Sequence, residues 1–114
     1  MKNTRVIHGG DVPSNEREGY SYQRFVKNDQ DTPFDFLRVV VYGRHKTRKV
    51  LAGIRNYYVV TGEGNFVVND EIIPVKVRSL VRIMPGENYS YEGSMELIEF
   101  NIDTGQGIGH EDVE

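Results

Sequence analysis

No window of about eleven residues or more in this chain sustains the apolar period of a helix. From Phe34 onward the apolar residues come instead in short β-branched and aromatic runs: FDFLRVVVYG, IRNYYVV, GNFVV, IIPVKV, SLVRIM and MELIEFNI. These read as strands at close spacing. Gly43, Gly53, Gly62, Gly64, Asn69-Asp70, Pro85-Gly86 and Gly93 supply turn chemistry between them. Val75, Val77, Leu80, Val81 and Ile83 bracket polar Lys76, Arg78 and Arg82, as expected where one sheet face meets a core. The pattern predicts an all-β sandwich or small barrel.

At 114 residues the chain is one domain. Residues 1–33 are polar, with turn formers at Gly9-Gly10, Pro13 and Gly19, and read as an arm carrying one edge strand at Tyr20–Val26. Residues 34–103 form the barrel. Residues 104–114, glycine-rich and then acidic, are expected to be a flexible tail. The alternating Gly105, Gly107 and Gly109 do not make a phosphate loop, because no helix follows them.

A formal net charge of −3 argues against a dedicated nucleic-acid binder. That average conceals a segregation. Residues 38–55 carry six basic and no acidic side chains, whereas residues 56–114 carry three basic and eleven acidic ones. A basic stretch inside an acidic chain is either a solvated loop or a local site for anions.

The absence of cysteine removes disulfides, thiolate zinc sites and thiol catalysis. The N-terminal residues lack the apolar run of a secretory signal, and no segment approaches the roughly 20 apolar residues of a membrane span. A cytoplasmic protein with no membrane partner is the expectation.

The segment from Asn56 to Ile102, with its Gly62-Glu63-Gly64 hairpin, its Asn69-Asp70 hairpin and a Pro85-Gly86 bend leading into Tyr89 and Tyr91, resembles a small cupin domain. The resemblance covers residues 36–102 and implies a cupin-type jelly-roll barrel, or double-stranded β-helix. Cupins usually hold a divalent metal through histidines and a glutamate. Anchoring the first cupin motif on Gly62 puts Arg55 at the glutamate position and either Lys49 and Leu51 or Arg48 and Val50 at the histidine positions. In the second motif Tyr89 takes the histidine position and Gly93 that of an asparagine. The resemblance therefore implies no metal and no cofactor, since a cation would meet positive or neutral side chains there. A metal-dependent alternative would need His45 with Glu63, Glu87 or Glu99.

Strand alternation puts Arg55, Tyr57 and Val59 on one face, which by resemblance lines the barrel, and Tyr89 and Tyr91 share a face in the same way. Arg55, Tyr57, Tyr89, Tyr91 and Lys49 are accordingly the candidate ligand-binding residues. A buried Arg55 requires a bound anion or an internal Glu99 or Glu96 to meet its charge. Tyrosine rings offer flat walls for a sugar-like ring. Metal-free acid–base chemistry would fall to His45 with Tyr57 or Tyr89.

The reading is a metal-independent cupin-like protein binding a small anionic or carbohydrate-like ligand, with catalysis undecided. The alternatives are a metal-free sugar isomerase or epimerase, the metal-dependent cupin, and a nucleic-acid or protein binder acting through residues 44–55. The N-terminal edge strand, with Val39, Val41 and Tyr58 read as exposed, suits a homodimer.

Overall fold

The computed structural model describes residues 5–114; residues 1–4 of the expected N-terminal arm lie outside the described residues. Nine strands follow one short 3₁₀ turn at Gly9–Asp11: β1 (Ser14–Arg17), β2 (Tyr20–Val26), β3 (Phe34–Val41), β4 (Arg44–Ala52), β5 (Ile54–Val68), β6 (Glu71–Lys76), β7 (Leu80–Ile83), β8 (Asn88–Ile102) and β9 (Gly109–Asp112). The chain is an all-β, cupin-type barrel. No helix among the described residues is long and apolar enough to cross a membrane.

Two long strands make its spine. β5 and β8 run antiparallel from Ile54↔Ile102 to Val68↔Tyr89, and a bulge between Val59 and Thr61 lets them curl without losing register. The runs IRNYYVV and GNFVV, read as two strands, are therefore one. On its other edge β8 pairs with β3 along Met95–Ile102 and with β4 along its first residues, while β5 also pairs with β6 and β7. Gly62 allows the curl: its φ is +81° and an added Cβ would lie 2.1 Å from the Ser94 carbonyl oxygen. Asn69 and Asp70, both at positive φ, close the tight β5–β6 hairpin that the sequence announces.

The pleat decides which residues enter the core. Arg55, Tyr57 and Val59 are buried on β5, opposite Asn101, Glu99 and Leu97 on β8. Leu37, Val39 and Val41 join them from β3. Val39 and Val41, read as exposed, are 1% and 2% exposed, because β3 lies between β2 and β8 and turns alternate residues inward. The β2 edge expected to be open is covered within the chain by β1, from Ser14↔Gln23 to Arg17↔Tyr20. Each fully buried Val or Leu in this core contributes about 1.5–3 kcal/mol.

Two further expectations are corrected. The basic segment is a strand, β4, rather than a loop at the barrel mouth. Residues 109–112, expected within a flexible tail, are strand β9, paired with β4 from Arg48↔Asp112 to Ala52↔Gly109. Charge explains both. Lys46 and Arg48 meet Asp112 at 2.7 and 3.0 Å, and Arg44 meets Glu114 at 2.6 Å, so each segment supplies the counter-charge of the other.

Candidate functional site

Aromatic and charged side chains outnumber aliphatic ones along one part of the barrel interior. A cavity of about 210 Å³ there is lined by His45, Arg48, Arg55, Tyr91, Glu99 and His110, with Tyr20 and Tyr22 among its other walls. That is room for about seven waters at ~30 Å³ each, or for a small ring.

His45 is 1% exposed and stacks on Tyr91 with ring centroids 4.5 Å apart and on Tyr89 at 5.7 Å, while the Tyr20 ring lies tilted against it at 4.8 Å. Burial, and then the Arg48 charge, lower its pKa to about 3, so the ring is neutral. Its Nδ1 lies 2.6 Å from the Lys46 carbonyl oxygen, which can only accept, so the proton sits on Nδ1 and Nε2 keeps its lone pair. A bulge between His45 and Arg48 lets both side chains face the cavity.

His110 reaches the same cavity from β9. Burial and the Arg48 and Arg55 charges lower its pKa to about 4. Arg55 Nη2, a donor only, lies 2.9 Å from His110 Nδ1, which therefore accepts and leaves the proton on Nε2. The two neutral imidazoles thus have opposite tautomers, one with a free acceptor and the other with a free donor.

Arg55 is buried, and its Nη1 lies 3.5 Å from Glu99 Oε2. Burial works against its charge, but the Tyr57 and Tyr89 oxygens and the Glu99 and Asp35 carboxylates outweigh it and raise its pKa. Of the two ways to meet that charge, the chain uses the internal Glu99; Glu96 pairs with Arg38 instead. Asn101 ties the carboxylates together, its Nδ2 donating to Glu99 at 2.7 Å and to Asp35 at 3.3 Å. Arg55 Nε and Asn101 Oδ1 remain without a partner. The two residues are register partners, so an orphan donor and an orphan acceptor lie on one face, and a hydroxyl is their chemical complement.

Tyr57 donates to the Tyr89 hydroxyl at 3.0 Å. Burial first, and then Glu99, raise the pKa values of Tyr57, Tyr89 and Tyr91, so all three phenols stay protonated. Of the residues singled out in the sequence, His45, Arg55 and Tyr91 line the cavity, and Tyr57 and Tyr89 pack behind them. Lys49 does not line it: on β4 it alternates with Arg48 and Val50, whose side chains point inward. Glu63 is exposed, and Glu87 accepts from the Met84 N–H at 2.7 Å, so neither accompanies His45.

Sequence reasoning missed His110, Arg48 and Tyr20 as cavity residues. His110 had a signal: HEDVE is the acidic complement of RHKTRK, and pairing the two brings the histidine inward. Among the described residues no three His, Asp or Glu side chains converge to hold a metal ion, and the guanidinium groups of Arg17, Arg24, Arg48 and Arg55 disfavour a cation. The site does not fit the cupin metal.

No protein-family model and no curated protein matches the chain. Its architecture is nonetheless well represented among solved structures, and they define it as a cupin fold. The Schizosaccharomyces pombe Cnp3 cupin domain is 14% identical, with a TM-score of 0.71 over 82% of this chain and 70% of that one. Higher in similarity is Streptomyces PAC13: a histidine-to-glutamine variant with uridine is 21% identical, with a TM-score of 0.85 over 98% of this chain and 92% of that one. A further Pac13 structure, of a nucleoside dehydratase, is 23% identical, with a TM-score of 0.81 over the same shares.

Proposed function

We propose that the barrel cavity binds a small carbohydrate-like or nucleoside-like molecule without a metal ion, and that His45 is the general base toward it. One observation carries the reading: a neutral histidine, stacked among tyrosines in the cavity, has its Nδ1 proton committed to the Lys46 carbonyl and its Nε2 lone pair uncommitted. Above about pH 4 His45 is always in its base form. It takes a carbon-bound proton on Nε2, and Arg48 disfavours retention of that proton, so it is passed on. In an elimination that proton passes from His45 Nε2 to the departing hydroxyl, which takes the C–O electron pair and leaves as water while the C–H pair becomes the new double bond; Tyr91 stays protonated and donates a hydrogen bond to the departing oxygen. Elimination of water and epimerisation share this first proton transfer.

Support comes from three directions. The protonated Tyr91 phenol and the other tyrosine walls suit a polyhydroxylated ring. The charge of Arg55 is already met by Glu99, so the ligand portion seated there is neutral. Solved PAC13 structures with uridine include one variant at a histidine and two at tyrosines, residue types also present in this cavity.

Calorimetry with uridine, together with deuterium incorporation from D₂O into the bound ligand, tests the reading. His45→Gln should retain binding and lose exchange. Equal exchange in both proteins would remove His45 as the base, and no heat with uridine at millimolar concentration would remove the ligand class. A stoichiometric transition metal in protein purified without added metal would overturn the metal-independent part.

A further inference from the structure

Beside the cavity lies a second basin of about 380 Å³ that shares Arg17, Tyr20 and Arg48 with it, so a ligand can extend from one into the other. Its remaining cations are Arg44 and Lys46, and its carboxylates are Glu18 and Glu114. The Glu114 carboxylate is received there as a ligand's anion would be. Arg44 Nη1 and Nη2 donate to its two oxygens at 2.6 and 2.7 Å, and the Thr47 backbone N–H donates to Oε2 at 2.6 Å. The His45–Arg48 bulge makes that amide available, because Lys46 and Thr47 have no partner on β8. A bidentate guanidinium fork with a main-chain N–H suits phosphate as well as carboxylate.

Neither partner in this pair is buried. The side chains of Arg44 and Glu114 are 49% and 40% exposed, so the contact is screened by salt and easily exchanged. A phosphate dianion carries more charge than the carboxylate it displaces, and Lys46, paired with Asp112 at 2.7 Å, lines the same basin.

We propose that this basin is an oxoanion subsite, that Glu114 fills it when no ligand is bound, and that the ligand is the phosphorylated form of the small ring. The identity of the ring rests on the function proposed above, whereas the anion subsite does not. The anion attributed to the basic segment is thereby assigned to Arg44 and Thr47 instead of to Arg55.

Titration calorimetry with inorganic phosphate, uridine and uridine 5′-monophosphate on the full chain, Arg44→Ala and Glu114→Gln provides the test. The monophosphate should bind about ten-fold more tightly than uridine. Glu114→Gln should strengthen phosphate and monophosphate binding several-fold and leave uridine unchanged. Arg44→Ala should abolish the preference for the monophosphate and spare uridine. Phosphate binding with this variant dependence, but without binding of either nucleoside compound, would uphold the subsite and refute the ring. Equal affinities for uridine and the monophosphate, or phosphate binding indifferent to both substitutions, would overturn the subsite.

Discussion

Replacing Glu99 with glutamine keeps the shape of the side chain and removes the charge that faces Arg55. At the observed 3.5 Å, Coulomb's law gives an attraction of about 4–5 kcal/mol at an effective dielectric of about 20. Both side chains are largely desolvated, at 5% and 11% exposure, so water in the adjoining cavity replaces the lost partner only in part. Asp35 is the next carboxylate, but it also serves Arg24 and Asn101 and compensates only in part. Breaking a buried pair from one side costs about 3–5 kcal/mol, and the long contact argues for the lower end. Reversible urea unfolding should therefore show a loss of about 3 kcal/mol, or on the order of 15 °C in Tm. Arg55→Met should lose a similar amount, and the double variant Arg55→Met/Glu99→Gln should lose clearly less than the sum. Additive losses, or a loss below about 1 kcal/mol for Glu99→Gln, would refute the claim that a desolvated ion pair lies beside the cavity.

His45, lowered from 6.5 to about 3, binds a proton more readily in the unfolded chain, so stability falls as pH drops from about 6.5 towards 3. His110, lowered to about 4, adds a second proton, so near pH 5 the slope should approach about 2.7 kcal/mol per pH unit, fall to about half that in His45→Gln, and accompany a His45 imidazole NMR shift that stays flat from pH 5 to 8. Tyr57→Phe removes the donor to the buried Tyr89 hydroxyl and should cost about 1–2 kcal/mol in chemical denaturation. Gly86→Ala, at φ +92° with nothing within 4 Å of the new Cβ, should cost about 1–2 kcal/mol. Gly62→Ala should cost clearly more in the same assay, because its Cβ also overlaps the Ser94 carbonyl and the Met95 Cα.

Much of the barrel was legible because strand alternation is a local property. Arg55, Tyr57 and Val59 point inward as read, the Asn69-Asp70 turn closes a hairpin, and Tyr20–Val26 is a strand with the expected bounds. Charge composition misled where it stood alone. RHKTRKVLA looked like a solvated loop because no acidic residue lies near it in sequence, yet as β4 it is flanked by β8 and β9. The same limitation hid His110 and made Val39 and Val41 look exposed.

The sequence by itself determined the all-β class of fold and the inward set Arg55, Tyr57 and Val59 on β5, because each depends on residue type and on spacing of a few positions. Tertiary structure alone decided which charges meet. The purely basic stretch and the acidic end of the chain are separated by more than fifty residues, about half the chain, and only sheet closure sets Arg44 against Glu114 and Lys46 and Arg48 against Asp112. Coulomb energy depends on distance through space. The same closure carries His110 to the cavity and gives the two imidazoles opposite proton positions, since each tautomer is fixed by a hydrogen-bond partner that residue type does not specify.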